Sequence, residues 1–254
     1  MRAYLYFCAV LLGLCVGSFL NVVVHRLPRG TFFANARSVC PACGRRLPWY
    51  DLVPVISFLA LRGKCRACQA GISPRYPIVE LAGALLAAGA LWNFGFDWRA
   101  PLAFAVCAVL LAVALIDAAT MEIPDALVIA LTPLAAAAVW AWRGEISLLE
   151  RGIGLLAVSL PMFLLTLAIP GAFGGGDVKL MAVCGFLLGW QGALAAMFIA
   201  VLTGGSLAAY LMLTGKAKRG ARIPFGPHLC LGVAASLFWG RALIEMYLGW
   251  FGFL

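Results

Sequence analysis

Charge is what this sequence has least of. Only 11% of its 254 residues are Asp, Glu, Lys or Arg, against 64% hydrophobic, and the mean hydropathy is strongly positive. A soluble domain of this length could not be clothed in so few charges, which excludes water as the main solvent. The first apolar run lacks a small-residue cleavage pattern and leads straight into His25 and Arg26, so it reads as a retained span and not a secretory signal. No internal repeat is visible, as a transporter built from repeated halves would show. The net charge of +9 is not accompanied by aromatic-basic interleaving, so no nucleic-acid partner is expected. A disulfide scaffold is excluded by the placing of the nine cysteines. Four cluster in one basic loop, while Cys8, Cys15, Cys107, Cys184 and Cys230 stand singly in apolar runs as small core hydrophobes.

What remains is a string of apolar runs near residues 4–24, 76–94, 101–116, 126–142, 152–169, 178–189, 192–213 and 228–250. A bilayer core of about 30 Å takes about 20 apolar residues per helix. The expected fold is therefore an all-α polytopic membrane protein with about eight transmembrane helices. Glycines at positions 189 and 192 separate the sixth and seventh runs. The chain divides into a first span at 1–24, a cytoplasmic loop at 25–75 and a seven-helix membrane domain at 76–254.

Orientation follows from Lys and Arg, which short cytoplasmic loops retain. Nine of them lie between Arg26 and Arg75, and Lys216, Lys218, Arg219 and Arg222 lie between the last two runs. With eight spans these loops share one side with Lys179, leaving Arg2, Arg99, Arg143 and Arg151 on the other. Both termini are then outside and the loops after spans one, three, five and seven inside. The same cations suit anionic lipid heads.

Within the first loop stand Cys40-Pro-Ala-Cys43 and Cys65-Arg-Ala-Cys68. Two residues between paired cysteines let both thiolates turn onto one ion, and two such knuckles complete a tetrahedral zinc site. Arg45, Arg46, Lys64 and Arg66 would favour the thiolates. The rival readings are two redox pairs or unliganded thiols. A full Cys₄ shell leaves no position for water, so zinc here would be structural.

Asp117 closes the third run, and Asp177 opens the sixth in Gly174-Gly175-Gly176-Asp177. Charge topology puts both at cytoplasmic helix ends. Taken singly, Asp177 reads equally as a helix cap and Asp117 as an interfacial acid. Together, two carboxylates at membrane depth point to function, and the glycines allow close approach of an extended peptide. Carboxyls that come near one another share a proton, the arrangement by which an aspartic protease activates water and protonates a carbonyl. Glu80, near the start of the second span, is a candidate for substrate or cofactor contact. Arg241 and Glu245 are spaced to neutralise each other on one helix, and Glu122 and Asp125 read as solvated interfacial acids.

In order along the chain come Gly17-Ser18-Phe19-Leu20-Asn21 running into His25-Arg26-Leu27-Pro28, the paired cysteines, Arg75-Tyr76-Pro77-Ile78-Val79-Glu80-Leu81, the Asp117 segment, the Gly-x-Gly-Asp ending at Asp177, and Ile223-Pro224-Phe225-Gly226-Pro227. This series closely resembles the type IV prepilin peptidase family. The resemblance implies an aspartyl endopeptidase of the bacterial inner membrane, multi-pass, with its active site facing the cytoplasm. It would remove the basic leader from type IV prepilins or type II secretion pseudopilins, with Asp117 and Asp177 as the catalytic pair. It further implies N-methylation of the new amino terminus with S-adenosylmethionine as donor, since the cysteine-bearing loop is similar to that of the bifunctional members. For that reaction Glu80 is the candidate acid to orient or deprotonate the amine, while the residues that bind the cofactor are not read from the sequence. His228 stands where relatives often carry another residue and is expected to be a packed interfacial histidine. Two rivals belong to other classes. One is a proton-relaying transporter; the other is a methyltransferase with incidental acids, which would need neither Asp117 nor Asp177.

Overall fold

A computed structural model of the chain describes residues 2–32, 37–216 and 223–250. Lys218, Arg219 and Arg222 lie outside the described residues. The elements are α1 (Arg2–Arg26), a 3₁₀ turn (Trp49–Leu52), α2 (Ile56–Ala60), α3 (Arg75–Phe94), α4 (Arg99–Thr120), α5 (Asp125–Ala141), α6 (Leu148–Ala157), α7 (Ser159–Ala168), α8 (Gly175–Leu213) and α9 (Gly226–Trp250). Besides these helices, the described residues contain two isolated antiparallel bridges.

Among the described residues, six helical stretches are long and apolar enough to cross a membrane, and Asp125–Ala141 is apolar but shorter. Adding it, and dividing α8 at Gly189, yields the eight apolar segments expected from the hydropathy. The protein is an all-α, multi-pass membrane protein.

Two compact units divide the chain, residues 1–104 and 105–254. In the first, α1 packs along α3. The contact runs backbone to backbone, because a Cβ at Gly17 would lie 2.7 Å from the Cα of Glu80; small residues are what let membrane helices approach this closely. One turn on, the Asn21 side-chain amide donates to the Tyr76 carbonyl at 3.1 Å. The Gly17-to-Asn21 motif is thus a seam that holds the start of α3.

In the second unit, α5, α6, α7 and α9 pack on α8, whose Leu180, Met181, Ala193, Ala196 and Ala200 are fully buried. Local signals set the ends. Ser147 and Glu150 cap each other's backbone amides at the start of α6, at 2.7 and 3.2 Å. Pro161 has no amide to give Ala157, which separates α6 from α7. Gly189, at φ 73° and ψ 172°, breaks α8 into two helices; only glycine adopts such a conformation freely.

Helix ends leave carbonyls without helical donors. At this break the Arg151 guanidinium donates to Phe186 O at 3.2 Å and Leu187 O at 2.8 Å, and at 3.0 Å to Ala138 O near the end of α5, which also accepts from the Trp142 amide at 3.0 Å. Arg151, counted from sequence among the charges of the outer side, is in fact completely buried. Its positive charge faces the negative ends of two helices, and it stands within α6 and not in a loop.

Candidate active site

Three segments of the second unit converge on the two aspartates. The first leaves α4. There Asp117 is buried, and the chain turns at Met121, φ 56°, into Glu122-Ile123-Pro124 and α5. The second is the glycine run opening α8, where Asp177 is half-buried. The third opens α9 at Phe225 and Gly226.

Contacts too close for larger residues knit these together. A Cβ on Gly176 would meet the Ile123 side chain at 2.8 Å, so the loop after Asp117 lies directly on the turn that carries Asp177. A Cβ on Gly226 would come within 2.7 Å of Asp117 Oδ2. Instead the Gly226 amide donates to that oxygen at 2.9 Å. The Gly174 amide likewise donates to Asp177 Oδ2 at 3.0 Å. The rings of Phe173 and Phe225, 5.8 Å apart, join the second and third segments.

Asp177 is therefore a helix cap, as its sequence position suggested, on a turn that lies directly against the loop following Asp117. Each carboxylate has one oxygen fixed by a backbone amide. Oδ1 of both makes no hydrogen bond among the described residues. Such a pair, oriented but half free, can hold a water between an acceptor and a donor.

Sequence reasoning quoted Ile223-to-Pro227 as a motif without a role for it. Its Gly226 supplies the amide on Asp117, and the missed signal was a glycine at the first position of a helix. The sequence grouped all three glycines of the run as permissive. Gly175 in fact has nothing within 4 Å of its would-be Cβ, so close approach is required at Gly176. Asp125 pairs with Lys179 across exposed surface at 2.9 Å, and Glu122 is exposed. His228 Nδ1 lies 3.2 Å from Thr203 Oγ1 and the ring packs on Gly204, as a packed histidine should. Arg241 and Glu245 form the expected exposed pair at 3.1 Å.

In the first unit, Cys40, Cys43, Cys65 and Cys68 bring their sulfurs within 4.8 Å of one another. The two knuckles repeat one design. Val39 bridges Arg46 and Lys64 bridges Gly71, each pairing the residue before the first cysteine with the third after the second. Each turn closes at a left-handed residue just past its second cysteine, Gly44 at φ 69° and Gln69 at φ 60°. The amides of Cys43 and Ala42 bond the Cys40 sulfur and hold its thiol down to about 6. At Cys68 the Ala70 amide pulls downward, but burial and the neighbouring sulfurs outweigh it and hold that thiol up at about 11. Four converging sulfurs, two buried and two exposed, fit a tetrahedral thiophilic ion. Arg66 is held by Asp51 at 2.7 Å and lies over the Tyr50 ring, which stiffens the second knuckle.

Glu80 is buried, and its Oε2 accepts from the Val55 amide at 2.8 Å. Val55 has φ 62°, a costly conformation for a β-branched residue. Glu80 thus pins a strained point of the cysteine loop to α3.

An α-helical membrane protein with two amide-anchored aspartates at adjoining helix ends, and a separate four-thiol cluster, is the class these features define. Residues 11–94 match the bacterial peptidase A24 N-terminal domain and residues 104–209 the type IV leader peptidase family. Proteins named prepilin leader peptidase/N-methyltransferase are similar over nearly the whole chain. That of Pseudomonas aeruginosa is 37% identical over 97% of this chain and 94% of its own. One from Burkholderia pseudomallei is 40% identical over 91% and 84%, and that of Bacillus subtilis 34% identical over 93% and 95%. No solved structure matches. The chain belongs to the type IV leader peptidase family and is an enzyme of that family.

Proposed function

We propose that the protein is a membrane aspartyl endopeptidase that cuts the basic leader from type IV prepilins or type II secretion pseudopilins at the cytoplasmic face of the bacterial inner membrane, and that it then N-methylates the new amino terminus. The observation that carries the peptidase reading is the convergence of Asp117 and Asp177, each fixed through one oxygen by a glycine amide. Two carboxyls so placed hold one proton between them. The ionised member takes a proton from water as it attacks the scissile carbonyl, and the protonated member donates to the carbonyl oxygen. The names of the relatives support both activities, and the Lys and Arg bias supports the cytoplasmic side.

We divide the chain by task into a first span at 1–24, a metal loop at 25–75 and a membrane domain at 76–254 carrying the aspartates. Cys40, Cys43, Cys65 and Cys68 would hold zinc, which supplies fold and no catalysis when its shell is filled by four thiolates. Glu80 serves methyl transfer from S-adenosylmethionine by holding the loop at Val55. Incubating the purified protein with a model prepilin, with and without the methyl donor, tests this by product mass. The expected products are a pilin shortened by its leader in both cases and heavier by one methyl group only with the donor. An uncut precursor in both would overturn the reading.

A further inference from the structure

The cysteine loop exposes apolar side chains that its zinc knuckles do not need. Trp49 is 79% exposed, Ile56 66% and Leu59 67%, with Leu52 also open. They are not scattered. Trp49 and Leu52 are three apart on a 3₁₀ turn, where that spacing stacks side chains on one face. Ile56 and Leu59 are three apart on α2, again one face, and the turn and α2 pack against each other. Exposed Arg45, Arg46, Arg62 and Lys64 flank these segments in sequence. The one acid of residues 37–75, Asp51, is already engaged by Arg66.

The height of this ridge is set by Glu80. That residue lies five positions into α3, about 7.5 Å along the helix at 1.5 Å per residue, and it grips the amide of Val55, between the turn and α2. Arg75–Phe94 is long and apolar enough to span a membrane. Val55 and the apolar residues on either side of it therefore stand level with the first turns of a span, where a bilayer changes from headgroups to hydrocarbon. An amphipathic segment with Trp and Leu on one face and Lys and Arg beside it lies in that layer, and each nearby cation adds attraction to anionic lipid.

We propose that the face formed by Trp49–Leu52 and Ile56–Ala60 docks on the anionic headgroup layer of the membrane that α1 and α3 cross. Docking fixes the two knuckles flat against the bilayer. A cationic peptide is a poor occupant because Arg45, Arg46, Arg62 and Lys64 repel it.

The full chain in nanodiscs tests this through Trp49, whose emission is isolated by subtracting that of Trp49→Phe. With phosphatidylglycerol present, lipids brominated high on the acyl chain should quench the Trp49 component and aqueous iodide should not. Replacing the anionic lipid with phosphatidylcholine, or raising salt, should weaken the quenching. Ile56→Asp with Leu59→Asp should abolish it while bound zinc, measured on the same sample, stays unchanged. Trp49 open to iodide and untouched by brominated lipid overturns the proposal. So does quenching indifferent to lipid charge, and so does shielding that follows protein concentration instead of lipid, which would mean a second copy covers the face.

Discussion

At Gly176 there is room for a hydrogen and nothing larger, since a Cβ would strike Ile123 at 2.8 Å. Overpacking of this kind costs about 1–3 kcal/mol unless the neighbour moves. The neighbour is the loop that follows Asp117, so relief comes by displacing one carboxylate from the other. A misplacement of about 1 Å at a reacting group can cost ~10²-fold in rate. Gly176→Ala should accordingly lower kcat/KM for leader cleavage by about that factor with little loss of folded protein. Gly175→Ala, with nothing near its Cβ, should cleave within a small factor of wild type. Cleavage assays on both proteins, normalised to folded enzyme, check the contrast. The sequence showed that glycines mattered beside Asp177. It did not show which one, because the reason is a contact with a residue more than fifty positions away.

Among the elements, the break in α8 was legible and its support was not. Gly189 and Gly192 between two apolar runs announce a discontinuity from composition alone. Arg151 looks like any loop cation at a helix start, and only the packing of α5, α6 and α8 turns it into the donor for three carbonyls. Ala138 O keeps the Trp142 amide without it, but a buried acceptor left unmatched at the break costs about 1–3 kcal/mol. Arg151→Met should therefore lower the thermal midpoint in detergent markedly. Arg151→Lys should not restore it, because one ammonium lacks the planar fork that reaches two helices. A midpoint unchanged in Arg151→Met would contradict this account of the break.

The cysteine loop was the most legible element, since its chemistry is local and its spacing nearly fixes its geometry. The latch from Glu80 to the strained Val55 was invisible there and needed the fold. The thiols give the loop a pH signature. Cys40, held at about 6, favours the folded loop above the ordinary thiol value of 9.0, and that support is lost as pH falls through about 6. Cys68, held at about 11, works the other way: its neutral form favours the loop below 9.0, with loss as pH rises toward 11. Metal binding requires both thiolates. Zinc uptake by metal-free protein should thus release the Cys68 proton near neutrality and weaken steeply below about pH 6. Competition with a chromophoric chelator across pH reads this, and uptake independent of pH would contradict it.

For the molecule as a whole, the residues assigned to each reaction fall in different units. The four thiols and Glu80 belong to residues 1–104, and the aspartates to 105–254. The reactions also differ in demand. Peptide hydrolysis needs an acid and a base around a water, whereas methyl transfer needs a neutral amine held in line with a sulfonium methyl group. The test is to give Asp117→Asn and Asp177→Asn, each purified and shown to be folded, both an intact prepilin and a precleaved pilin with labelled S-adenosylmethionine. Cleavage should fall by on the order of 10²–10⁴-fold or more, while label transfer to the precleaved pilin persists. Substantial cleavage by either folded variant would contradict the aspartyl mechanism.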